Sequence, residues 1–128
     1  MSVLLDASAI LAVLQNEPGD RTIIELIATE GGTASSVNLA EVVAKLCDNG
    51  LDAVDAEGAV NDLPIFAAPF TRDMASLSGA LRPLTRQLGL SLGDRSCIAT
   101  ARVLRMPVLT TDRAWAGLDV GVDIRIVR

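Results

Sequence analysis

The sequence has 128 residues, half of them hydrophobic and 21 % charged, which suits one soluble domain with a sizeable core and argues against a disordered chain. It has no histidine, which removes the Ser-His-Asp and Cys-His routes to a nucleophile, histidine acid/base pairs and histidine-containing zinc sites. With no tyrosine, a single lysine and a net charge of −5, any enzymatic chemistry falls to carboxylates, working through a hard cation bound by oxygen.

Along the chain, Val3-Leu4-Leu5 reads as a short apolar strand ended by Asp6, and Ala7 to Leu14 as a helix. Pro18-Gly19 breaks it, and a second helix follows with Ile23, Ile24, Leu26 and Ile27 expected to face inward, until Gly31-Gly32. Thr33-Ala34-Ser35 is a brief strand, and Ser36 is expected to cap a helix over Val37 to Asp48, closed by Asn49-Gly50. Another helix is expected from about Asp52 to Asp62, then a strand at Pro64-Ile65-Phe66-Ala67. A long helix is predicted from Thr71 to about Gln87, and a further one from Ser91 to about Arg105. Pro107-Val108-Leu109-Thr110 reads as a buried strand, Trp115 sits in a short helix, and Ile124-Arg125-Ile126 is the last strand. Strands alternating with helices predict an α/β plan in three layers, with a central parallel sheet of about five short strands flanked by helices. No repeat, linker or low-complexity run divides the chain, so residues 1–128 are expected to form one domain.

Charge is unevenly spread. Residues 1–65 carry eleven acids against Arg21 and Lys45, whereas residues 66–128 carry nine arginines against five acids. The basic half could hold phosphates, or its arginines could simply solvate helix faces. Arg82 and Arg86 lie four apart on one predicted helix, and Arg95, Arg102 and Arg105 share a face of the next. Such arginines would position a nucleic-acid backbone without reading its sequence. Only Phe66, Phe70 and Trp115 are aromatic, so base stacking is not the expected mode of contact. Cys47 and Cys97 each sit in an apolar helical pattern and read as buried small hydrophobes, in keeping with a reducing cytoplasm. There is no basic segment before an apolar run at the N-terminus and no apolar run of membrane-spanning length, so neither a signal peptide nor a membrane partner is expected.

In α/β sheets ligands bind beyond the carboxyl ends of the strands, and Asp6 and Asp112 fall at such ends. Each has a plainer role as a helix cap, as does Asp94, three residues after Ser91. Glu41 lies on an otherwise apolar helix, where Asn38, Glu41 and Lys45 form one narrow polar stripe. That stripe is either a solvent face with a Glu41–Lys45 pair or a stripe pointing into a polar pocket. Four carboxylates converging on one rim would repel one another unless a divalent cation sat among them.

The runs Leu5-Asp6-Ala7-Ser8-Ala9, Ser36-Val37-Asn38-Leu39-Ala40-Glu41-Val42, Leu90-Ser91-Leu92-Gly93-Asp94-Arg95-Ser96-Cys97 and Leu109-Thr110-Thr111-Asp112-Arg113-Ala114-Trp115 resemble the four acidic motifs of the PIN domain, in order and over essentially the whole chain. The resemblance is closest to the VapC ribonuclease toxins of type II toxin–antitoxin pairs. It implies a Rossmann-like PIN fold and Mg²⁺- or Mn²⁺-dependent endoribonuclease activity on RNA, frequently tRNA or rRNA. It implies Asp6, Glu41, Asp94 and Asp112 as the catalytic, metal-binding cluster, with Asp6 and Asp94 the best candidates for direct ligands. Ser8 and Thr110 match small hydroxyl positions that support the carboxylates. The family also implies a cognate antitoxin with an inhibitory tail, and a homodimer. Arg82, Arg86 and Arg95 are the candidate RNA contacts.

Other readings are a non-catalytic module with the same fold and a DNA-directed nuclease, since nothing in the sequence reads the 2′-hydroxyl. A phosphoacceptor receiver domain fits poorly: Ala68-Pro69-Phe70 follows the third strand, and the only lysine lies on a helix.

Overall fold

The structure, a computed structural model, describes residues 2–128. Its strands are β1 (Val3–Leu5), β2 (Gly32–Ser35), β3 (Ile65–Ala68), β4 (Val108–Thr110) and β5 (Ile124–Ile126). Its helices are α1 (Ala7–Leu14), α2 (Asp20–Glu30), α3 (Ser36–Asp48), α4 (Ala53–Asn61), α5 (Arg72–Ala80), α6 (Arg82–Thr85) and α7 (Leu92–Leu104). Short 3-10 turns occupy Arg86–Leu88 and Arg113–Trp115.

The five strands pair in parallel in the order β3-β2-β1-β4-β5, the α/β plan that the alternation of elements predicts. β1 is entirely buried because both sheet faces are covered, so its apolar residues divide between two cores by the period of two. Val3 and Leu5 pack with Leu109 and residues of α1, α2, α3 and α4, among them Ile10, Ile23, Val42 and Val60. Leu4 faces the other way and packs with Val108, Leu81, Ile98 and Trp115. The chain steps outward from β1 to β2 and β3, then returns to lay β4 against the free side of β1. The topological switch point therefore lies between β1 and β4, with Leu5 paired to Leu109 just before their carboxyl ends.

Three local expectations need correction. The long helix over 71–87 is broken: α5 stops at Ala80, α6 is one turn, and a 3-10 turn follows. Pro83 is the physical reason, because its ring lacks an N–H and collides with the preceding turn of any continuous helix. Ser35, not Ser36, caps α3, its Oγ accepting from the Val37 amide at 3.2 Å. Ser36 Oγ instead accepts from the Phe70 amide at 3.1 Å. On α2 only Ile23 is fully buried, and Ile24 is exposed. Both cysteines are free, Cys97 buried and Cys47 half-buried.

Candidate functional site

Asp6 ends β1 and starts α1, so a side chain there both caps the helix and reaches the switch point. Its Oδ1 accepts from the Ala9 amide at 2.8 Å. Ser8 Oγ donates to the same oxygen at 2.7 Å, and Thr110 Oγ1 donates to Oδ2 at 2.5 Å. Each hydroxyl has one proton, and both are given to Asp6, so the 3.2 Å approach between the two hydroxyl oxygens carries none. The hydroxyls in turn accept backbone N–H groups just beyond β4, from Thr111 at 3.0 Å and Asp112 at 3.1 Å. The resulting network locks β1 to β4 at the point where the two strands end. Asp6 is only 4 % exposed. Burial pushes its carboxyl up to about 6, against the three hydrogen bonds that favour the charge, and the negative Asp94 adds to the rise.

Asp94 is the third residue of α7 and forms a reciprocal capping box with Ser91. Ser91 Oγ accepts from the Asp94 amide at 3.1 Å, and Asp94 Oδ2 accepts from the Ser91 amide at 3.0 Å. Glu41 is half-buried on α3 and makes no pair with Lys45; among the described residues the ion pairs are those of Arg125 with Glu30 and Asp123. Its Oε1 instead accepts from Asn38 Nδ2 at 2.7 Å. The same Nδ2 donates to the carbonyl of Gly93, beside Asp94, at 3.0 Å. Of the polar stripe on α3, Asn38 and Glu41 thus turn toward the first turn of α7, whereas Lys45 is exposed.

Cys97 follows Asp94 by three residues on α7. Its thiol is pushed well above the usual range, first by complete burial and then by the negative charges of Asp6, Asp94 and Glu41. All three carboxylates thus lie near enough to Cys97 for their charge to act on it. Asp112 follows β4, is exposed, and caps the 3-10 turn at the Ala114 amide with Oδ1 at 2.9 Å. It joins the others only through Thr110.

A divalent cation is the group that this donor set would hold. As the side chains are turned here, no three acids among the described residues stand close enough together to hold a metal ion. Each is turned to a local donor instead, and none of the four is paired with an arginine or lysine among the described residues. The chemistry nonetheless fits: oxygen donors only, a buried carboxylate that resists ionisation, and the negative Asp94 close enough to raise it further.

The arginines divide by position. Arg82 Nη1 donates to the Leu90 carbonyl at 3.4 Å, beside the start of α7. Arg86 is exposed on the turn after α6. Arg95 is drawn inward: its Nη1 donates to the Ser78 carbonyl on α5 at 3.1 Å, and its Nε is buried without a partner. Arg102 and Arg105 do not flank the acids. They line a cavity with Pro107 and Asp123 at the amino ends of β4 and β5, about 12 Å and 16 Å along the helix axis from Asp94 by helical rise.

Asn38 and Gly93 are the site residues whose roles the sequence left unread. Asn38 was visible as one member of a polar stripe. Gly93 carried no signal, because its constraint comes from a residue far away in the chain: a Cβ there would overlap the Glu41 carboxylate.

A family model described as PIN domain matches residues 3–120. No curated protein matches the chain. Solved structures of similar fold include VapBC2 from Rickettsia felis bound to a DNA fragment from its promoter, with a TM-score of 0.79, 16 % identity and full coverage of both chains. VapC20 from Mycobacterium tuberculosis, a toxin that cleaves the sarcin-ricin loop, has a TM-score of 0.71 at 18 % identity, covering 94 % of this chain and 98 % of that one. FitAcB from Neisseria gonorrhoeae has a TM-score of 0.70 at 23 % identity, covering 97 % and 96 %.

Proposed function

The chain is a member of the PIN domain family, and from that premise we propose that it is a metal-dependent endoribonuclease, the toxin of a type II toxin–antitoxin pair acting in the cytoplasm. The observation that carries this reading is the uncompensated negative charge at the switch point: buried Asp6 with Asp94 near enough to raise its ionisation, Glu41 set against the first turn of α7, and no cationic side chain paired to any of them among the described residues.

Asp6, Glu41 and Asp94 would hold Mg²⁺ or Mn²⁺, with Asp112 joining from the end of β4. When bound, such an ion supplies positive charge for the phosphate oxygens and for the water that attacks in line. The rest falls to the chain itself. Ser8 and Thr110 hold the Asp6 carboxylate in one orientation, and the Thr111 and Asp112 amides fix those hydroxyls in turn. Asn38 holds Glu41. Arg82 and Arg86, on the approach to α7, would bear on the RNA backbone.

The antitoxin reading is supported by an apolar cavity of about 400 Å³ lined by Val13, Ile24, Ile27, Ala28, Leu63 and Pro64. Exposed apolar surface of this kind marks a partner's seat, and an apolar antitoxin segment suits it. A homodimer is supported by Leu84, Leu88 and Leu92, exposed by 69 %, 49 % and 60 % along the path from α6 to α7.

Incubating the purified protein with total RNA and Mg²⁺ or Mn²⁺, beside Asp6→Asn and Asp94→Asn, tests the reaction. Cleavage by the wild type alone is expected. Equal cleavage by all three would sink the carboxylate mechanism. A parallel arm with single-stranded DNA separates the RNase reading from a DNA-directed one, and failure of every arm would favour a non-catalytic module.

A further inference from the structure

Asn38 is 1 % exposed, on a helix whose neighbouring positions are apolar. A buried amide is costly unless its polar atoms are bonded. Its Nδ2 meets that need twice, donating to Glu41 Oε1 at 2.7 Å and to the Gly93 carbonyl at 3.0 Å. Its Oδ1 is buried and has no partner among the described residues. Folding gains nothing from an orphaned buried acceptor, so an apolar residue here would serve packing better.

Gly93 completes the arrangement. It lies in the first turn of α7, where alanine would favour the helix. A Cβ at this position would overlap all three atoms of the Glu41 carboxyl group. The obstacle is the end of a flexible side chain, not backbone, so alanine would displace the carboxylate and leave the helix in place.

We infer that Asn38 and Gly93 form a seat that fixes the Glu41 carboxylate against the first turn of α7, and that both are positioning residues for the divalent cation. This inference rests on the metal-dependent reading of the site. Asn38 supplies the bond that aims Glu41, and Gly93 supplies the empty space into which Glu41 fits. Neither touches the substrate.

The full chain is compared with Gly93→Ala and Asn38→Ala, with Glu41→Gln as the control. Three measurements separate the outcomes: Mn²⁺ titration by calorimetry, thermal melting without metal, and the Asn38 side-chain amide signal in ¹⁵N NMR without metal. Mn²⁺ affinity should fall about 10- to 100-fold in both seat variants. Gly93→Ala should melt no lower than the wild type. The Asn38 amide signal should move in Gly93→Ala and in Glu41→Gln. Unchanged Mn²⁺ affinity in both seat variants, beside a wild type that binds, overturns the inference. So does an Asn38 signal that stays put, or a lower melting temperature for Gly93→Ala. A wild type that binds no Mn²⁺ at all overturns the metal reading instead, and the seat is then judged by the NMR signal alone.

Discussion

Asp6 is where single-residue chemistry couples to folding. An unfolded Asp ionises near 3.8, whereas burial moves the folded carboxyl to about 6. Between those values the metal-free folded state keeps a proton that the unfolded state has lost. The stability this group contributes is therefore fully present below pH 3.8 and is lost as pH rises through 6, a total of about 3 kcal/mol. Urea unfolding in EDTA should show the wild type losing about 1 kcal/mol relative to Asp6→Asn between pH 5 and pH 7. A constant difference across that range would mean that Asp6 is already ionised when buried. The sequence placed this carboxylate at a strand end, but it could not foresee the raised ionisation. That depends on the layers that cover β1 and on Asp94, far along the chain, and it stands against the Thr110 bond, which favours the charge.

Helix ends account for much of what each element does here. Asp6, Ser35, Asp52, Thr71 and Ser91 all cap helices through side-chain oxygens, and these starts were legible within one or two residues because capping is local chemistry. The start of α2 is different. Gly19 caps it with no side chain and a φ of +95°, and a Cβ would lie 2.7 Å from the Val127 carbonyl oxygen. That obstacle is backbone and cannot yield. Gly19→Ala should cost about 2 kcal/mol or more, read as a lower urea midpoint at an unchanged slope. Gly58→Ala is the contrast. It lies inside α4 with nothing within 4 Å, and alanine there should raise stability by about 0.5–1 kcal/mol. The break at Leu81 was also within reach of the sequence, since Pro83 carries it; the apolar pattern across 71–87 simply outweighed one residue.

Over the whole molecule, charge and shape separate into regions. Asp6 and Asp112 follow the carboxyl ends of β1 and β4, and Arg82 bonds the Leu90 carbonyl just before α7, whereas Arg102 and Arg105 lie at the amino end. Under the ribonuclease reading, RNA binding should weaken with salt, and Arg82→Glu with Arg86→Glu should lower the log–log salt slope by about 1 to 2. An unchanged slope in a filter-binding titration would remove Arg82 and Arg86 from the RNA path. Arg95 is left out of that variant because it bonds Ser78, so its loss would disturb the seam between α5 and α7.

By itself the sequence determined the alternation of strands and helices, the parallel sheet of about five short strands flanked by helices, and the four acids in order. These are local patterns, written in spacing and composition. Only the tertiary structure decided which strands are neighbours, and so brought Asp6 and Thr110 into one hydrogen-bonded network at the switch point. It turned Glu41 inward, away from Lys45, and set it on Gly93 across 52 positions of chain. It also moved Arg102 and Arg105 away from the acids. The physical reason is the same in each case. Hydrophobic period and capping act within a few residues, whereas strand order and side-chain contact between distant segments follow from how the layers pack.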